Sequence, residues 1–504
     1  MKNFHASLDL GSTNIKAALY AGESLSIAAG CSRPMEYFRE GNRVEFDADS
    51  VIKTMFEMLC ELGGKVPGGS IKTITLTGQA ESLILLDKNF KPLRRAISWM
   101  DERSLTECGV LAQKFSAEEI YNVTGQKAII PTWPATKIIH LFETEPECIA
   151  KTAFFVLLKD YVAWKLSGVF AADKSIATFS LYFDIFRGSY WEKMLDACGI
   201  RAAQLPLLIE PCTVMGSINP ALNLGAAWSQ ARVNTGTLDH FAGMIGSGNI
   251  APGALSESTG TVMAMAAMLP LSGGDCAKPS SFSAKENAAL HYGPFPRTLV
   301  LLPVAESGGI CLELFRNNFL PGRSFEEINK GILEHADEKN NRLIFLPYLA
   351  GVNAPEYDRD ACGIFYGLRS ETNVYDMAKA VMEGVAMLLD RNLAAMRGTG
   401  LDFSRIICTG GAAKSDLWCR IKADVCGCEV LVPEDSETAC RGAAIIGAVS
   451  CGDFCNYEEA VKNCVKIKKQ FLPQDIAAYR DKKAGFEILY KAMLETAAAM
   501  TFGK

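Results

Sequence analysis

Apolar runs of strand length alternate with amphipathic stretches of helix length along most of the chain. SLDLGSTNIKAALY (residues 7–20) predicts two strands around a small-residue turn, and IKTITLTGQ (71–79) predicts a strand that ends in Gly78. DADSVIKTMFEMLCEL (47–62) has apolar residues at helical spacing, with Asp49 expected as the N-cap. This alternation of strands and helices predicts an α/β fold.

The second half of the chain shows the same alternation of predicted strands and helices as the first. STGTVMAMAAM (258–268) predicts a turn followed by a strand, and RIICTGGAAKSDLWCRIKADVCG (405–427) predicts a strand that ends at Cys408, a glycine turn and a helix. The segments LDLGSTNIKA and SESTGTVMAM, about half the chain apart, are both small-residue turns beside an apolar strand. Two related domains, each contributing one phosphate-facing turn to a shared cleft, would explain this echo.

Length and charge fit two enzyme-like domains. A chain of 504 residues is too long for one ordinary core. We place the boundary in the Gly-, Pro- and Ser-rich segment GSGNIAPGALSES, which gives domains 1–248 and 249–504. The net charge of -6 argues against a nucleic-acid-binding surface that covers the whole protein.

Several features predict a cytoplasmic protein. The N-terminal MKNFHASLDLGS has an aspartate where the apolar region of a secretory leader would lie. The 17 cysteines are scattered, as is typical of reduced, mostly buried thiols. The longest apolar run, VMAMAAMLPL, is about half a membrane span and contains a proline, so we expect no transmembrane segment.

The first small-residue turn has the chemistry of a phosphate site. Ser12, Thr13 and Asn14 can present amides and hydroxyls to a phosphate in a concave nest. Asp9 would repel that phosphate unless a cation lies between them, which implies Mg²⁺ held largely through water. Lys16 could add positive charge. A plain hairpin turn is the alternative interpretation.

Two further turns are candidates for nucleotide contacts. STGT offers Thr259, Gly260 and Thr261, although Ser/Thr/Gly turns are common and this one is weak evidence alone. In the 405–427 segment, Gly410 and Gly411 allow a close backbone approach before a helix begins. An ordinary connection between a strand and a helix would explain the same residues.

Acids and amides elsewhere are typical of a sugar site with a general base. Asp239, followed by His240 and an apolar helix, could take the proton of an alcohol, or could simply be an N-cap. TGQAESLILLD and AISWMDERS supply polar groups and an indole that suit a polyhydroxylated ligand: Gln79, Glu81, Trp99, Asp101 and Arg103. A structural ion pair is the alternative for Asp101 and Arg103.

In this order, these segments resemble the FGGY family of carbohydrate kinases over nearly the whole chain. LDLGSTNIK and STGT resemble its phosphate motifs, and GQ…LLD with SWMDERS resembles its sugar-side block. LKDYVAWKLSG, LDHFAGMIGSG and LPYLAGVNAPEYDRDACGIFYGL resemble further family motifs. TGGAAKSDLWCRIKADVCGCEVLVP and ETACRGAAIIGA resemble its adenosine-binding block.

The resemblance implies two actin-like ATPase (ribonuclease H-like) domains with a central cleft. It implies transfer of the γ-phosphoryl group of ATP, with Mg²⁺, to a hydroxyl of a sugar or sugar alcohol, which we expect to be a primary hydroxyl of a ketose or polyol. Asp239 would be the general base and Asp9 would lie by the metal. Phosphate and nucleotide contacts would come from Ser12, Thr13, Asn14, Lys16, Thr259, Gly260, Thr261, Gly308, Gly410, Gly411 and Ser415. Sugar contacts would come from Gln79, Glu81, Asp101, Trp133, Asp239 and His240.

Departures from the family pattern leave the acceptor open. Val352 and Asn353 replace the usual Glu-Arg of one motif, and Ala80 replaces an arginine of glycerol kinases, which puts glycerol in doubt. The Q-M-H-G segment of typical xylulose kinases is also missing. Two other functions stay open: a non-catalytic nucleotide-dependent switch or scaffold, and a kinase for a small signalling carbonyl compound. A homodimer is the default assembly.

Overall fold

The computed structural model describes residues 2–270, 288–336, 342–351, 361–398 and 400–500. Strands of the first half are β1 (Asn3–Leu10), β2 (Asn14–Ala21), β3 (Ser26–Pro34), β4 (Phe38–Glu40), β5 (Arg43–Phe46), β6 (Ser70–Gly78), β7 (Leu83–Leu86), β8 (Ala96–Ile97), β9 (Phe154–Leu157), β10 (Ala171–Asp173), β11 (Phe183–Asp184), β12 (Ser189–Tyr190), β13 (Leu207–Ile209), β14 (Val214–Ser217) and β15 (Arg232–Leu238). Its helices are α1 (Ala48–Gly64), α2 (Leu105–Lys114), α3 (Ala117–Thr124), α4 (Pro134–Thr144), α5 (Pro146–Lys151), α6 (Leu158–Ser167), α7 (Lys174–Ala177), α8 (Glu192–Cys198) and α9 (Asp239–Ser247).

The second half continues the alternation. Its strands are β16 (Ala254–Thr259), β17 (Met263–Pro270), β18 (Leu290–Tyr292), β19 (Thr298–Leu301), β20 (Val304–Ala305), β21 (Ile344–Leu346), β22 (Ile364–Tyr366), β23 (Arg405–Gly410), β24 (Glu429–Pro433) and β25 (Ile467–Phe471). Its helices are α10 (Ile310–Phe319), α11 (Phe325–His335), α12 (Val374–Arg397), α13 (Asp416–Cys426), α14 (Thr438–Ser450), α15 (Tyr457–Cys464) and α16 (Arg480–Ala499). The predicted α/β class is therefore confirmed.

The two halves contain central sheets with the same connections. In the first sheet, β1 pairs antiparallel with β2 and parallel with β6, which pairs parallel with β15. In the second, β16 pairs antiparallel with β17 and parallel with β23, which pairs parallel with β24. The similarity between the two turn segments in the sequence therefore reflects the same strand connections in the two sheets. Because β1 and β16 are matched central strands, the turns that follow them lie at equivalent edges of the two sheets.

Local boundaries differ from the sequence predictions in two places. Helix α1 is capped by Asp47, whose Oδ1 accepts a hydrogen bond of 2.9 Å from the Ser50 amide. Asp49 lies in the first turn instead, where its negative charge interacts favourably with the helix dipole. Strand β23 continues past the predicted end at Cys408 to Gly410, because pairing with β16 extends that far.

Helices α9 and α14 cross where the two halves meet. A Cβ atom added to Gly246 would lie 1.9 Å from the Thr438 carbonyl oxygen, and one added to Gly442 would lie 1.8 Å from that of Ala242. Only glycine permits this separation, so the crossing is fixed by two residues. Helix α14 also packs on β1 and β6 of the first sheet. The predicted boundary between residues 248 and 249 stays a prediction.

None of the helices in the described ranges is long and apolar enough to cross a membrane.

Candidate active site

A cavity of about 220 Å³ lies between the two halves of the chain. Its acidic lining consists of Asp9, at the end of β1, and Asp239, at the start of α9. His240 lies beside them, and the second half contributes hydroxyl groups. The remaining lining residues are Gly243, Met244, Ser247, Ser256, Ser258, Ala264, Ala266, Leu302, Thr409, Thr438 and Ala439.

Asp9 is a buried carboxyl group with an unusual environment. It is 8% exposed, and its Oδ1 has no hydrogen-bond partner among the described residues. Burial, and then the negative charge of Asp239, raise the pKa of Asp9 to about 7 against the opposing charge of Lys16. A buried carboxylate oxygen without a partner, beside a second carboxylate, is suited to bind a cation.

Asp239 occupies the junction between β15 and α9. The amide of His240 donates a hydrogen bond of 2.7 Å to its Oδ1. Asp239 is half-buried and His240 is exposed, so both remain accessible from the cavity. The N-cap of α9 is Leu238 and not Asp239. The side chain of Asp239 is therefore free for a role other than helix capping.

The first turn is connected to the predicted sugar-side residues. The indole N–H of Trp99 donates a hydrogen bond of 2.9 Å to the Ser12 hydroxyl, and Tyr37 donates one to the Ser12 carbonyl oxygen. Thr13 is exposed, and Asn14 begins β2. The loop is thus held from one side and open on the other, as a phosphate-binding turn requires.

The Lys16 side chain forms an ion pair with another part of the chain. Its ammonium group lies 2.6 Å from the Glu437 carboxylate, which comes from the residue just before α14. This ion pair joins the two halves and competes with any phosphate for the charge of Lys16. Both side chains are more than a third exposed, so solvent weakens the pair.

The second turn presents Gly260 and Thr261, which are both exposed. Thr259 is fully buried, and its hydroxyl contacts Glu257 and accepts a hydrogen bond of 3.2 Å from Lys422. Its side chain therefore faces inward, and only its backbone is left for a phosphate contact. The predicted contact from Thr259 would therefore have to come from its backbone.

Glycines allow the backbone near the second turn to pack closely. A Cβ atom on Gly308 would lie 2.6 Å from the Val262 carbonyl carbon, so this buried glycine is explained by packing against the second turn. Gly410 has a φ of +78° and would place a Cβ atom 2.7 Å from the Thr259 carbonyl oxygen. Gly411 is exposed, and a Cβ atom added there would lie 3.6 Å from its nearest neighbour, the Thr259 carbonyl oxygen. Of these three glycines, Gly410 and Gly411 are exposed and Gly308 is buried.

Ser415 is engaged in local structure. Its hydroxyl caps α13 by accepting a hydrogen bond of 3.2 Å from the Trp418 amide and donates one to Asn329. Since its hydroxyl has these partners, Ser415 would contribute to a nucleotide site by fixing the start of α13. A direct hydrogen bond to the ligand would have to replace one of them.

The sugar-side segment contains a strained acid, the predicted sugar contact Glu81, and packs on a lysine that the sequence analysis missed. Glu81 has a φ of +65°, which is unusual for a residue other than glycine. The buried ammonium group of Lys137 holds this turn by donating to the carbonyl oxygens of Glu81 and Ser98, at 3.2 and 2.9 Å. Burial raises the pKa of Glu81 and lowers that of Lys137. Gln79 is also buried; it donates to the Gly11 carbonyl oxygen and so links this segment to the first turn.

Two of the predicted sugar contacts make structural interactions within the protein. Asp101 is fully buried, and its carboxylate accepts hydrogen bonds from the Val44 amide and from the guanidinium and amide groups of Arg103. It is therefore the structural partner of Arg103. Trp133 is 6% exposed, donates its indole N–H to the Ala128 carbonyl oxygen and packs in a hydrophobic cluster. Val352 and Asn353 lie outside the described residues.

The chain is similar in sequence to known carbohydrate kinases. Residues 4–246 match the family model described as "FGGY family of carbohydrate kinases, N-terminal domain", and residues 313–451 match the corresponding C-terminal domain. The chain is 27% identical over 480 residues to a xylulose kinase of Bacillus subtilis, covering 94% of each chain. It is 25% identical to a gluconokinase of Bacillus licheniformis, covering 96% of this chain and 94% of the relative.

A solved structure described as ligand-bound xylulose kinase from Lactobacillus acidophilus has the same fold. The TM-score is 0.87 with 22% identity, over 99% of each chain. At that identity the likeness concerns the fold alone, and it confirms the predicted pair of actin-like domains with a cleft.

Proposed function

Because the chain belongs to the FGGY family of carbohydrate kinases, we propose that the cavity between Asp9 and Asp239 is where it transfers the γ-phosphoryl group of ATP. As a member of this family, the chain is a phosphotransferase that uses ATP and acts on a sugar or polyol. The observation that carries the assignment of the site is the pair of carboxylates in one cavity between the two halves. The carboxylate of Asp9 has an oxygen with no hydrogen-bond partner in the described ranges, and that of Asp239 lies in the first turn of α9.

Asp239 is the general base of the proposed reaction. It accepts the proton of the acceptor hydroxyl while that oxygen bonds to the γ-phosphorus and the bond to the leaving ADP breaks. The transition state is loose, so positioning and charge neutralisation account for most of the rate. Closure of the cleft excludes water, which would otherwise compete with the sugar as acceptor.

The turns that follow β1 and β16 hold the phosphates in this proposal. Ser12, Thr13 and Asn14 act from one sheet, and Gly260 and Thr261 act from the other. The platform at Gly410 and Gly411 receives the adenosine. Gln79, Glu81 and His240 contact the acceptor from the first half of the chain. Lys16 would join the phosphates by exchanging its partner Glu437 for them.

The residues present fit a magnesium ion. Asp9 supplies an orphaned carboxylate oxygen, and no group of three or more His, Cys, Asp or Glu residues suited to a metal occurs in the part of the chain that the structure describes. Mg²⁺ commonly takes one or two carboxylates together with water and substrate phosphates, so this donor set suits it. When bound, it would neutralise charge on the phosphates.

We expect Asp9→Asn to remove a pH-dependent loss of stability. Between about pH 4 and the raised pKa of about 7, folded Asp9 keeps a proton that the unfolded chain has released. Stability contributed by this group is therefore present at low pH and declines as the pH rises through that window. The melting temperature of the variant should rise relative to that of the native protein as the pH increases from about 4 to about 7.

The same variant tests the metal assignment. Stabilisation of the native protein by ADP should be greater with Mg²⁺ than with EDTA, and Asp9→Asn should abolish that difference. An unchanged difference would contradict the role of Asp9 near the metal. Parallel melting curves at all pH values would contradict the raised pKa.

The acceptor class is best identified by screening. The charged groups that line the cavity with His240 are carboxylates, which favours an uncharged hydroxyl compound over a sugar acid. We expect coupled ADP release to rise with a ketose or polyol from a panel of ketoses, aldoses and alditols of about three to seven carbons, with gluconate included. Slow hydrolysis that no acceptor accelerates would favour the switch or scaffold function. A primary hydroxyl as the phosphorylated group, a cytoplasmic location and a homodimer remain parts of this proposal.

A further inference from the structure

The strand that carries Asp239 contains an irregularity just before it. In β15, Asn234 pairs with Thr75 of β6, but the next pair joins Thr237 to Thr77. Thr235 and Gly236 thus face a single residue of β6, which defines a β-bulge. Gly236 has a φ of +61°, and a Cβ atom there would lie 1.6 Å from the Leu76 carbonyl oxygen. Bulges of this kind redirect the end of a strand.

Backbone groups released by the bulge are satisfied by buried side chains. The carbonyl oxygen of Thr235 accepts a hydrogen bond of 2.7 Å from the ammonium group of Lys159, in α6. The amide of Gly236 donates one of 2.8 Å to the Asn234 side chain. Lys159 and Asn234 are fully buried. The conformation of the bulge therefore depends on a lysine from a distant part of the sequence.

Lys159 is held by a carboxylate that also organises a short helix. Its ammonium group contacts Asp173, and Asp173 accepts a hydrogen bond of 3.2 Å from the Thr235 hydroxyl. The other oxygen of Asp173 accepts from the amides of Ser175 and Ile176 at the start of α7. Both members of this ion pair are inaccessible to solvent.

Ser175 extends the network to the residues next to Asp239. Its hydroxyl contacts Asp173, shares a hydrogen bond of 2.8 Å with the Thr237 hydroxyl and accepts one of 3.2 Å from the Leu238 amide. Leu238 directly precedes Asp239. Hydrogen bonds thus connect Lys159, Asp173 and Ser175 to the last two residues of β15.

We propose that Lys159, Asp173 and Ser175 are positioning residues that hold the bulged end of β15 so that Asp239 faces the cleft. The inference rests on the proposed role of Asp239 as general base. Apolar residues could fill the same volume at lower desolvation cost than a buried ion pair. Directed hydrogen bonds, in contrast, fix the orientation of a strand end, and displacement of a base by about 1 Å slows phosphoryl transfer.

The test is a double-mutant cycle that joins Ser175→Ala to Asp239→Asn. Ser175→Ala leaves the Lys159–Asp173 pair in place, so the variant should fold. We expect it to lower kcat roughly 10-fold and to leave the KM for ATP within about 2-fold, because only the base is displaced. In the Asp239→Asn background, the further loss should be less than about 2-fold. Thr237→Val, which removes the same link from the strand, should behave alike.

A matched control is Thr124→Val. The buried Thr124 hydroxyl makes two local hydrogen bonds in α3, to the Ile120 carbonyl oxygen and from the Gln126 amide. Its removal should leave kcat within about 2-fold of the native value.

The outcomes separate the two hypotheses. Equal losses from Ser175→Ala in both backgrounds, or no loss in the native background, would overturn the positioning role while Asp239→Asn remained defective. Normal turnover of Asp239→Asn itself would overturn the proposed function on which the inference rests.

Discussion

Replacement of Asp239 by asparagine should lower kcat by roughly 10²–10⁴-fold and leave ATP binding nearly unchanged. Asparagine keeps the size and the hydrogen bond from the His240 amide, but it cannot accept the proton of the acceptor hydroxyl. The loss should therefore appear in turnover. The measurement is coupled ADP release at saturating acceptor, with ATP affinity determined separately by calorimetry.

A suitable control for this variant is Asp49→Asn. Asp49 also lies in the first turn of a helix, but it is exposed and does not line the cavity. It should retain turnover within about 2-fold of the native value. Turnover of Asp239→Asn at the same level would show that the acceptor proton leaves by another route, and the assignment of the base would have to be abandoned.

Local sequence chemistry was sufficient to predict the turns of the two sheets. The pattern of a strand, a run of small polar residues and a second strand predicted the β1–β2 hairpin. At the second turn the sequence predicted β17 but not β16, the strand before the turn with which β17 pairs. The repeated order also predicted that one turn from each half faces a shared cleft, and the family resemblance predicted that Asp9 and Asp239 lie there. Asp9, Asp239 and His240 lie together there. These features lie at the ends of strands. Residues close by in the sequence determine where a strand ends, so local patterns are enough to predict them.

The partners of individual side chains could not be predicted, because they come from distant parts of the chain. Lys16 pairs with Glu437, 421 positions away. For Asp101, the ion pair with Arg103 was one of the predicted alternatives, but the hydrogen bond from the Val44 amide of β5 was not predictable. Thr259 turns inward toward Glu257 and Lys422. No local pattern distinguishes these residues from solvent-exposed polar residues.

Buried lysines were the most consistent omission. Lys137, Lys159 and Lys422 all lie on helices whose sequences read as amphipathic, and a lysine there is ordinarily exposed. All three are fully buried. Each donates hydrogen bonds at a turn or strand end near the cleft. A buried cation beneath a turn is thus a recurring means of fixing that turn in this protein.

The largest expected loss of stability follows from Lys422→Met. The ammonium group of Lys422 lies 2.7 Å from the Glu257 carboxylate, and both side chains are inaccessible to solvent. Methionine preserves most of the volume but leaves Glu257 buried without a counter-charge. Breaking such a pair costs about 3–5 kcal/mol of unfolding free energy, because the remaining charge has lost water and partner together.

The double variant Glu257→Gln with Lys422→Met should recover most of that loss, since no uncompensated charge remains. A control for the lysine change is Lys469→Met, whose partner Asp416 is exposed; solvent screening limits that loss to about 0–1 kcal/mol. Urea unfolding followed by fluorescence measures all three midpoints. If Lys422→Met is no less stable than Lys469→Met, or if the double variant is less stable than the single one, the ion pair of Lys422 with Glu257 does not stabilise the second turn.

Because Thr259 accepts a hydrogen bond from the same ammonium group, the Lys422→Met variant should also weaken ATP binding, whereas Lys469→Met should not.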